Sequence, residues 1–261
     1  EIYRAVLDAQ TAANQAFERE KLQPMYQRVA NAIREADTKH ILFMEPSYHC
    51  NAGVPCALEP LVLKDGSRDP QQALASHGYD IVVDTPDQAK ASGDRIALIF
   101  ERHGETAARA GLPLLIGEWG AYGGGGAELL PVARMVTRQF EQLLCGDTYW
   151  EFGKNIDKTG TFPALQRPIP IALAGTLISY EHDAANGTFT CRWRESANIT
   201  APTRIYLPQP MGSTPSAMVL APEGEGFTVE DAIPGSRNSV VVIPVSGAEE
   251  DRTFTWGGKA P

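Results

Sequence analysis

The segment Pro113-Leu114-Leu115-Ile116-Gly117-Glu118-Trp119-Gly120 decides the fold of this 261-residue chain. Its apolar run is typical of a strand that is buried on both faces, as the strands of parallel sheets are. The run ends in the carboxylate Glu118, which is followed by Gly120. Because reactive side chains of parallel α/β folds lie at the carboxyl ends of the strands, Glu118 is the first candidate for a catalytic group.

Similar segments lie on both sides of this strand and alternate with helical patterns. In the helical stretches, apolar residues recur at three- and four-residue steps. We predict a helical region over the first forty residues with Pro24 as an internal breaker, a strand over 40–46, a strand or strand plus loop over 74–83, a helix over 86–110, the strand over 113–120, a helix over 129–144 and a strand over 147–152. Strands that alternate with helices predict parallel βαβ units.

The number of these units predicts half of a (β/α)8 barrel. Four units fit between residue 1 and about residue 156, whereas a complete barrel takes about 250 residues. After Pro170 the pattern changes to short alternating segments, separated by Asn-Gly, Pro-Gly and Pro-Glu-Gly turns, over 171–180, 189–194, 204–207, 217–220 and 239–244. We therefore predict an α/β half-barrel domain over residues 1–164 and a small antiparallel β-sandwich over residues 165–261.

The bulk composition excludes some classes of partner. The net charge of −9 argues against nucleic acid, because phosphate binding requires clustered Lys and Arg. No apolar run is long enough to cross a bilayer, so we predict no membrane span. The chain begins with Glu1, and no signal segment precedes it. We therefore expect a processed product or a piece of a longer gene product.

Two of the four cysteines, Cys50 and Cys56, share a short loop that contains Gly53 and Pro55. A local disulfide fits this spacing, and it predicts an oxidising, secreted or extracytoplasmic location. The alternative is a zinc site, which would need two further ligands. Since Cys145 and Cys191 lie at no metal-like spacing, we predict neither a metal nor another cofactor.

Three short motifs resemble glycoside hydrolase family 5, a family of (β/α)8 retaining glycosidases. Residues 114–120 are similar to its seventh strand, which ends in the nucleophilic Glu. His77-Gly78-Tyr79 resembles the His-x-Tyr of strand six, and Trp150 resembles the strand-eight Trp that floors the sugar subsite. The endoglycoceramidase-like subgroup is the most similar in pattern, since it has Glu-Pro at the end of strand five, a Cys-containing loop and a C-terminal β-sandwich.

The resemblance implies a retaining β-glycoside hydrolase that acts on a carbohydrate or glycolipid, with Glu118 as nucleophile. Tyr79 would donate a hydrogen bond to Glu118, and His77 would bind a sugar hydroxyl or tune the carboxylate. Trp150 would offer its flat face to a sugar ring. Two further residues are weaker candidates for sugar contacts: Trp119, which could instead belong to the core, and His49, which could instead be a solvated loop residue.

The chain also departs from the family pattern, because it contains no Asn-Glu-Pro, the motif that carries the acid/base on strand four. Glu45, which is followed by Pro46, is the leading candidate to replace it. The alternative for Glu45 is a structural carboxylate. A catalytically impaired carbohydrate-binding half-barrel and a fragment of a full-length glycosidase are the competing functions.

The predicted half barrel leaves two sheet edges and an apolar inner face open. Open edges invite pairing, and large bare apolar patches are rare on monomers. We therefore predict that two copies pair as a homodimer to complete the barrel, or that the missing half arrives as another polypeptide.

Overall fold

The N-terminal part of the chain forms a parallel four-stranded sheet in the order β1-β2-β3-β4. Its strands are β1 (Leu42–Met44), β2 (Gln72–His77), β3 (Leu114–Gly120) and β4 (Gly146–Trp150). The structure is a computed structural model that describes residues 1–123, 125–208, 218–222 and 226–257. It divides into two units, residues 1–161 and residues 162–261, and the parallel sheet belongs to the first.

The first helical region is continuous. Helix α1 (Ile2–Phe17) passes through a π-helical turn, Glu18–Leu22, into α2 (Gln23–Ala36). Pro24 stands in the first turn of α2, a position that suits proline because the missing amide would have no partner of its own in an isolated helix. The predicted breaker therefore marks the start of a helix without ending the helical region. Glu18, in the π-helical turn, is completely buried.

Helix α3 (Gly93–Ala110) begins seven residues later than the sequence pattern predicts. Ser92 caps its N-terminus by accepting a hydrogen bond from the backbone amide of Arg95. The Arg95 guanidinium in turn forms an ion pair with the buried carboxylate of Asp80, at 2.9 Å. This pair ties the segment after β2 to the first turn of α3. The strand ends at His77, and residues 80–83 form a turn.

Aromatic residues join the helices to the sheet. The ring of Phe100 on α3 lies 5.7 Å from that of Phe140 on α4 (Leu130–Leu143). The Phe140 ring lies 5.3 Å from Trp119 on β3, and both residues are completely buried. Since β3 is an interior strand of the sheet, this packing fixes the strand that carries Glu118. Among the described residues, no helix has the length and hydropathy needed to cross a membrane.

The second unit is an antiparallel sandwich that follows a short helix, α5 (Phe162–Leu165). Its strands are β5 (Ile169–Ala172), β6 (Gly175–Asp183), β7 (Thr188–Glu195), β8 (Thr203–Leu207), β9 (Met218–Ala221), β10 (Thr228–Asp231), β11 (Ser239–Ile243) and β12 (Asp251–Trp256). One sheet has the order β10-β11-β8-β5 and the other β6-β7-β12-β9. Trp193 and Phe254 from one sheet pack with Ile205 and Val241 from the other, and all four are completely buried.

The sandwich differs from the predicted strands in three places. The predicted strand over 171–180 is two strands that belong to different sheets, with a break at residues 173–174. The second strand begins at Gly175, where a Cβ atom would lie 1.9 Å from the carbonyl oxygen of Arg194. β10 and β12 were not predicted. The strand predicted over 217–220 corresponds to β9, but Ala217 lies outside the described residues.

The disulfide predicted between Cys50 and Cys56 is wrong, because both cysteines are free, buried thiols. Their loop is not a solvated turn: it packs beneath α1, where Cys50 contacts Asn14 and Glu18 at 3.2 Å each. A hydrogen bond with the Cys50 thiol, together with burial, raises the pKa of Cys56. The secreted or extracytoplasmic location rested on this bridge and stays a prediction.

Candidate active site

The carboxyl ends of β2 and β3 bring three of the predicted site residues together. The register pairs His77 with Glu118. Tyr79, just beyond β2, donates a hydrogen bond from its hydroxyl to Glu118 Oε2 at 3.1 Å, and His77 Nδ1 lies 3.4 Å from the same oxygen. The Glu118 side chain is 33% exposed, so it is held by neighbours and still accessible to a substrate.

The environment keeps Tyr79 in its protonated, hydrogen-donating form. Burial raises the pKa of its phenol, and the hydrogen bond to Glu118 and the negative charges of Glu118 and Asp84 raise it further. An ionised phenol beside Glu118 would be repelled, whereas the neutral phenol stabilises the carboxylate. Tyr79 therefore acts as a permanent donor to Glu118 at neutral pH.

Glu45 at the end of β1 joins the same group through His77. Its Oε1 lies 3.3 Å from His77 Nε2, so the two nitrogens of one imidazole contact two different carboxylates. Asn51 completes the arrangement, because its amide donates to Glu45 Oε1 at 3.2 Å and its carbonyl oxygen accepts from the backbone amide of His77 at 3.0 Å. Tyr26 on α2 donates to the backbone carbonyl of Glu45 at 2.8 Å. Glu45 and His77 are thus held from several sides.

Sequence reasoning missed three residues of this group, Tyr26, Asn51 and His103. His103 lies on the buried face of α3, and its Nε2 is 2.9 Å from the backbone carbonyl of His77. Burial lowers the pKa of His103 to about 4, so its ring is neutral at neutral pH. Its position at helical spacing from Ile96, Ile99 and Phe100 was a usable signal, whereas Asn51, in an irregular loop, gave none.

Trp150 lies half exposed at the carboxyl end of β4, with 49% of its surface accessible. An open cavity of about 470 Å³ adjoins it; the side chains around that cavity include Asp84, Tyr149, Glu151, Lys154 and Asn155. Because the register pairs Trp150 with Gly120, two residues after Glu118, this cavity lies at the same end of the sheet as Glu118. An exposed indole beside polar groups is suited to packing against a sugar ring.

Trp119, the other tryptophan proposed to contact sugar, does not line this cavity. It is completely buried, and its indole donates to Asp147 Oδ2 at 2.9 Å. Successive side chains of a strand point to opposite faces, and Trp119 follows Glu118 directly. The sugar-contact prediction for Trp119 is therefore wrong, and its role is in the core.

His49 takes no part in the group around Glu118 among the described residues. It is exposed in the short 3₁₀ helix Tyr48–Ala52, and its ring lies edge-to-face against Tyr48 at 5.8 Å. The loop that carries His49 does reach the site, but through its neighbour Asn51. A direct role for His49 in sugar binding stays a prediction.

Comparison with known protein families identifies the family of this chain. Residues 7–155 match the cellulase model of glycosyl hydrolase family 5, and residues 167–247 match the glycoside hydrolase family 5 C-terminal domain. The chain belongs to glycoside hydrolase family 5. A search of curated proteins gave no match.

Solved structures of this fold include two glycosidases. Endo-glycoceramidase II from Rhodococcus sp., in its five-membered iminocyclitol complex, is 23% identical with a TM-score of 0.74, over 99% of this chain and 63% of that chain. Sterylglucosidase 1 from Cryptococcus neoformans is 14% identical with a TM-score of 0.65, over 94% of this chain and 45% of that chain. The family 5 chain thus spans about 63% of the endo-glycoceramidase length, and its fold, half a (β/α)8 barrel followed by a β-sandwich, is confirmed.

Proposed function

We propose that this chain forms the nucleophile-bearing part of a retaining β-glycoside hydrolase, with Glu118 as the nucleophile. The observation that carries the proposal is an accessible carboxylate at the end of an interior barrel strand, hydrogen-bonded by Tyr79 and 3.4 Å from His77. In such enzymes the carboxylate attacks the anomeric carbon, the glycosidic oxygen leaves with a proton from an acid, and water then hydrolyses the glycosyl–enzyme bond.

The similar structures support a glycolipid glycan or a β-glucoside as substrate. The Rhodococcus endo-glycoceramidase II structures include a lactosyl–enzyme intermediate and a ganglioside GM3 complex. A covalent glycosyl intermediate is the species that a nucleophilic Glu forms in a retaining mechanism. In this chain, Trp150 and the adjoining cavity would receive the sugar next to Glu118.

Glu45 is better suited to positioning His77 than to donating the proton. Its carboxylate contacts the His77 imidazole and the Asn51 amide, and these contacts tie it into the sheet end. We therefore propose that the acid/base comes from the barrel strands that this chain lacks. A longer chain or another polypeptide would supply them by pairing with β1, next to the exposed side chains of Ile41 and Phe43, which are 49% and 52% accessible. A second copy would close the sheet with another set of the same four strands.

Size-exclusion chromatography with light scattering tests whether a second copy completes the barrel. We expect two chains per particle at micromolar concentration. A monomer that nevertheless binds or hydrolyses glycosides would rule out completion by a second copy.

A panel of aryl β-glycosides tests the role of Glu118. Activated aryl leaving groups need little protonation, so the chain should release them slowly even without its acid. Glu118→Gln should abolish this release, and the control Glu101→Gln, on the exposed face of α3, should leave it unchanged. A 2-deoxy-2-fluoro glycoside should label the peptide that contains Glu118.

The labelling distinguishes the competing functions. Covalent labelling of another residue, or release that survives Glu118→Gln, would remove Glu118 from the mechanism. Saturable glycoside binding with neither release nor labelling would instead favour a carbohydrate-binding protein that has lost catalysis.

A further inference from the structure

A second group of reactive side chains lies apart from the Glu118 site, where the π-helical turn meets the loop after β1. Glu18, Cys50 and Cys56 place one carboxylate oxygen and two sulfur atoms within 4.8 Å of one another. The three residues are 0%, 1% and 8% exposed. A buried carboxylate is unusual, because burial removes its hydration and this cost must be offset by specific partners.

The contacts of Glu18 leave one of its oxygens directed at the thiols. Its Oε2 accepts a hydrogen bond from the backbone amide of Ala57 at 2.6 Å. Its Oε1 accepts from the backbone amide of Ser47 at 3.1 Å and from Cys50 Sγ at 3.2 Å. Within the described part of the chain, Glu18 forms no ion pair with Lys, Arg or His. A buried negative charge therefore faces two exchangeable thiol protons.

We propose that Glu18, Cys50 and Cys56 bind a thiophilic divalent cation of the zinc class. Two sulfur ligands at about 2.3 Å from one ion are at most about 4.6 Å apart, so the ligand atoms are already near the required separation. A fourth ligand would be water or the Ser47 hydroxyl, whose oxygen lies 3.5 Å from Cys50 Sγ. Sequence reasoning considered only the two cysteines, and the structure adds the carboxylate of Glu18 from the π-helical turn.

The charge balance favours this exchange. Binding replaces the two thiol protons by one divalent cation, both protons pass to solvent, and neither sulfur changes oxidation state. The buried group carries one net negative charge before binding, from Glu18, and one afterwards, from three anionic ligands around one divalent ion. The ion thus enters without adding net charge to a buried site, and metal affinity follows the deprotonation of its ligands.

Such an ion would also act on the loop next to the catalytic group. Cys50 immediately precedes Asn51, which contacts Glu45 and the backbone of His77. A metal that ties the π-helical turn to this loop would fix Asn51 in place. This second site does not depend on the glycosidase proposal, since its ligands are separate from Glu118.

Cobalt substitution tests the proposal on the full chain, purified with a non-thiol reductant. We expect one Co²⁺ per chain by native mass spectrometry, a thiolate-to-cobalt charge-transfer band, displacement of the band by Zn²⁺, and a higher Tm with Zn²⁺. Cys50→Ser and Cys56→Ser should each lose the band, and Glu18→Gln should weaken binding by at least about tenfold, the factor for about 1.4 kcal/mol. Cys145→Ser removes a buried thiol outside the group and should keep the band.

Two results would overturn the metal site. The first is folded wild-type protein that takes up no Co²⁺, or takes it up without the charge-transfer band; this readout does not depend on whether the variants fold. The second is a band of equal strength in Cys50→Ser and wild-type protein. Loss of glycoside release with intact cobalt binding would instead count only against the glycosidase proposal.

Discussion

At the scale of single residues, the proposed nucleophile is held by a hydrogen-bond donor, and no Lys or Arg among the described residues forms an ion pair with it. Tyr79 contributes a hydrogen bond whose donor stays neutral, since burial and the nearby carboxylates raise the pKa of its phenol. A hydrogen bond to a charged group contributes about 1.5–3 kcal/mol, enough to orient a carboxylate without neutralising it. An ion pair of similar geometry would lower the nucleophilicity of Glu118 more strongly. The arrangement therefore fits a carboxylate that must still attack a carbon centre.

Glu45→Gln separates a positioning role from a proton-donating role. As a positioning residue, Glu45 contacts His77 at 3.3 Å, and its loss should lower kcat/KM by about 10- to 100-fold, the equivalent of about 1.5–3 kcal/mol. The loss should be similar for aryl glycosides whose leaving groups differ in pKa, because it acts through His77. The measurement is kcat/KM across leaving groups, with Glu101→Gln as the control.

Azide rescue of Glu45→Gln tests the alternative, that Glu45 is the acid/base. If Glu45 were the acid/base, activated aryl substrates would still form the glycosyl–enzyme, and azide would restore turnover and give a glycosyl azide product. Such rescue, together with a loss confined to poor leaving groups, would show that Glu45 transfers the proton.

At the scale of elements, the contact of β2 with α3 explains why the residue between His77 and Tyr79 is glycine. A Cβ atom on Gly78 would lie 2.5 Å from Phe100 Cζ and 3.2 Å from Ile116 Cγ2. Gly78→Ala should therefore lower the free energy of unfolding by about 1–3 kcal/mol, as overpacked cores do. Gly153→Ala, with no atom within 4 Å of the added Cβ, should change it by less than about 0.5 kcal/mol. Denaturant titration compares the two, and equal stabilities would contradict the packing argument.

The buried His103 on α3 predicts an acid-sensitive contact with β2. An unfolded His has a pKa of about 6.5, whereas burial lowers the pKa of His103 to about 4. Between these values the unfolded chain binds a proton that the folded chain does not, so this contribution to stability is lost as the pH falls from about 6.5 to about 4. This loss amounts to about 3 kcal/mol in the free energy of unfolding, and His103→Gln should remove it.

Urea titrations across this pH range measure the effect. Gln keeps a donor for the backbone carbonyl of His77, so the variant should fold. The exposed His40 serves as the control, since His40→Gln should preserve the pH dependence. An unchanged slope in His103→Gln would show that another group causes it.

The elements also show what the sequence can and cannot predict. Buried strands such as β3 and helical faces such as that of α3 are periodic, so local pattern locates them and places Glu118, His77 and Tyr79 at strand ends. The position of Asn51 and the π-helical turn follow from tertiary packing and have no local pattern. Cys50 and Cys56 were mispaired for the same reason: their partner Glu18 is more than thirty positions away in the sequence.

At the scale of the whole molecule, four parallel strands cannot close a barrel. β1, at one edge of the sheet, is only three residues long, and Phe43 on it is 52% exposed. Short edge strands limit pairing with unrelated chains, but the exposed apolar surface beside them still favours a partner. The catalytic group lies at the carboxyl ends of these same strands. We therefore expect that the partner that completes the sheet also completes the active site.

The sandwich unit contains a buried ion pair between Arg252 on β12 and Glu195 on β7. The two side chains are 0% and 1% exposed and lie 2.6 Å apart. Burial alone would raise the pKa of Glu195, but hydrogen bonds from Ser246 and Arg252 lower it below its usual value. This contribution to stability is therefore present at neutral pH and is lost as the pH falls below the unfolded value of about 4.3 and through the folded pKa.

Arg252→Met should lower the free energy of unfolding of the sandwich by about 3–5 kcal/mol, because it leaves the buried Glu195 without its cation. The Arg252 guanidinium lies 5.7 Å from the ring of Trp193, so this tryptophan, one of four in the chain, contributes a signal from this region to the fluorescence change during denaturant titration. Arg194 provides the matched control on the same pair of strands, since its ion pair with Asp251 has side chains that are 51% and 55% exposed. Arg194→Met should cost less than about 1 kcal/mol. The two ion pairs differ in burial. Similar losses of unfolding free energy in both variants would therefore mean that burial does not determine how much each pair contributes to stability.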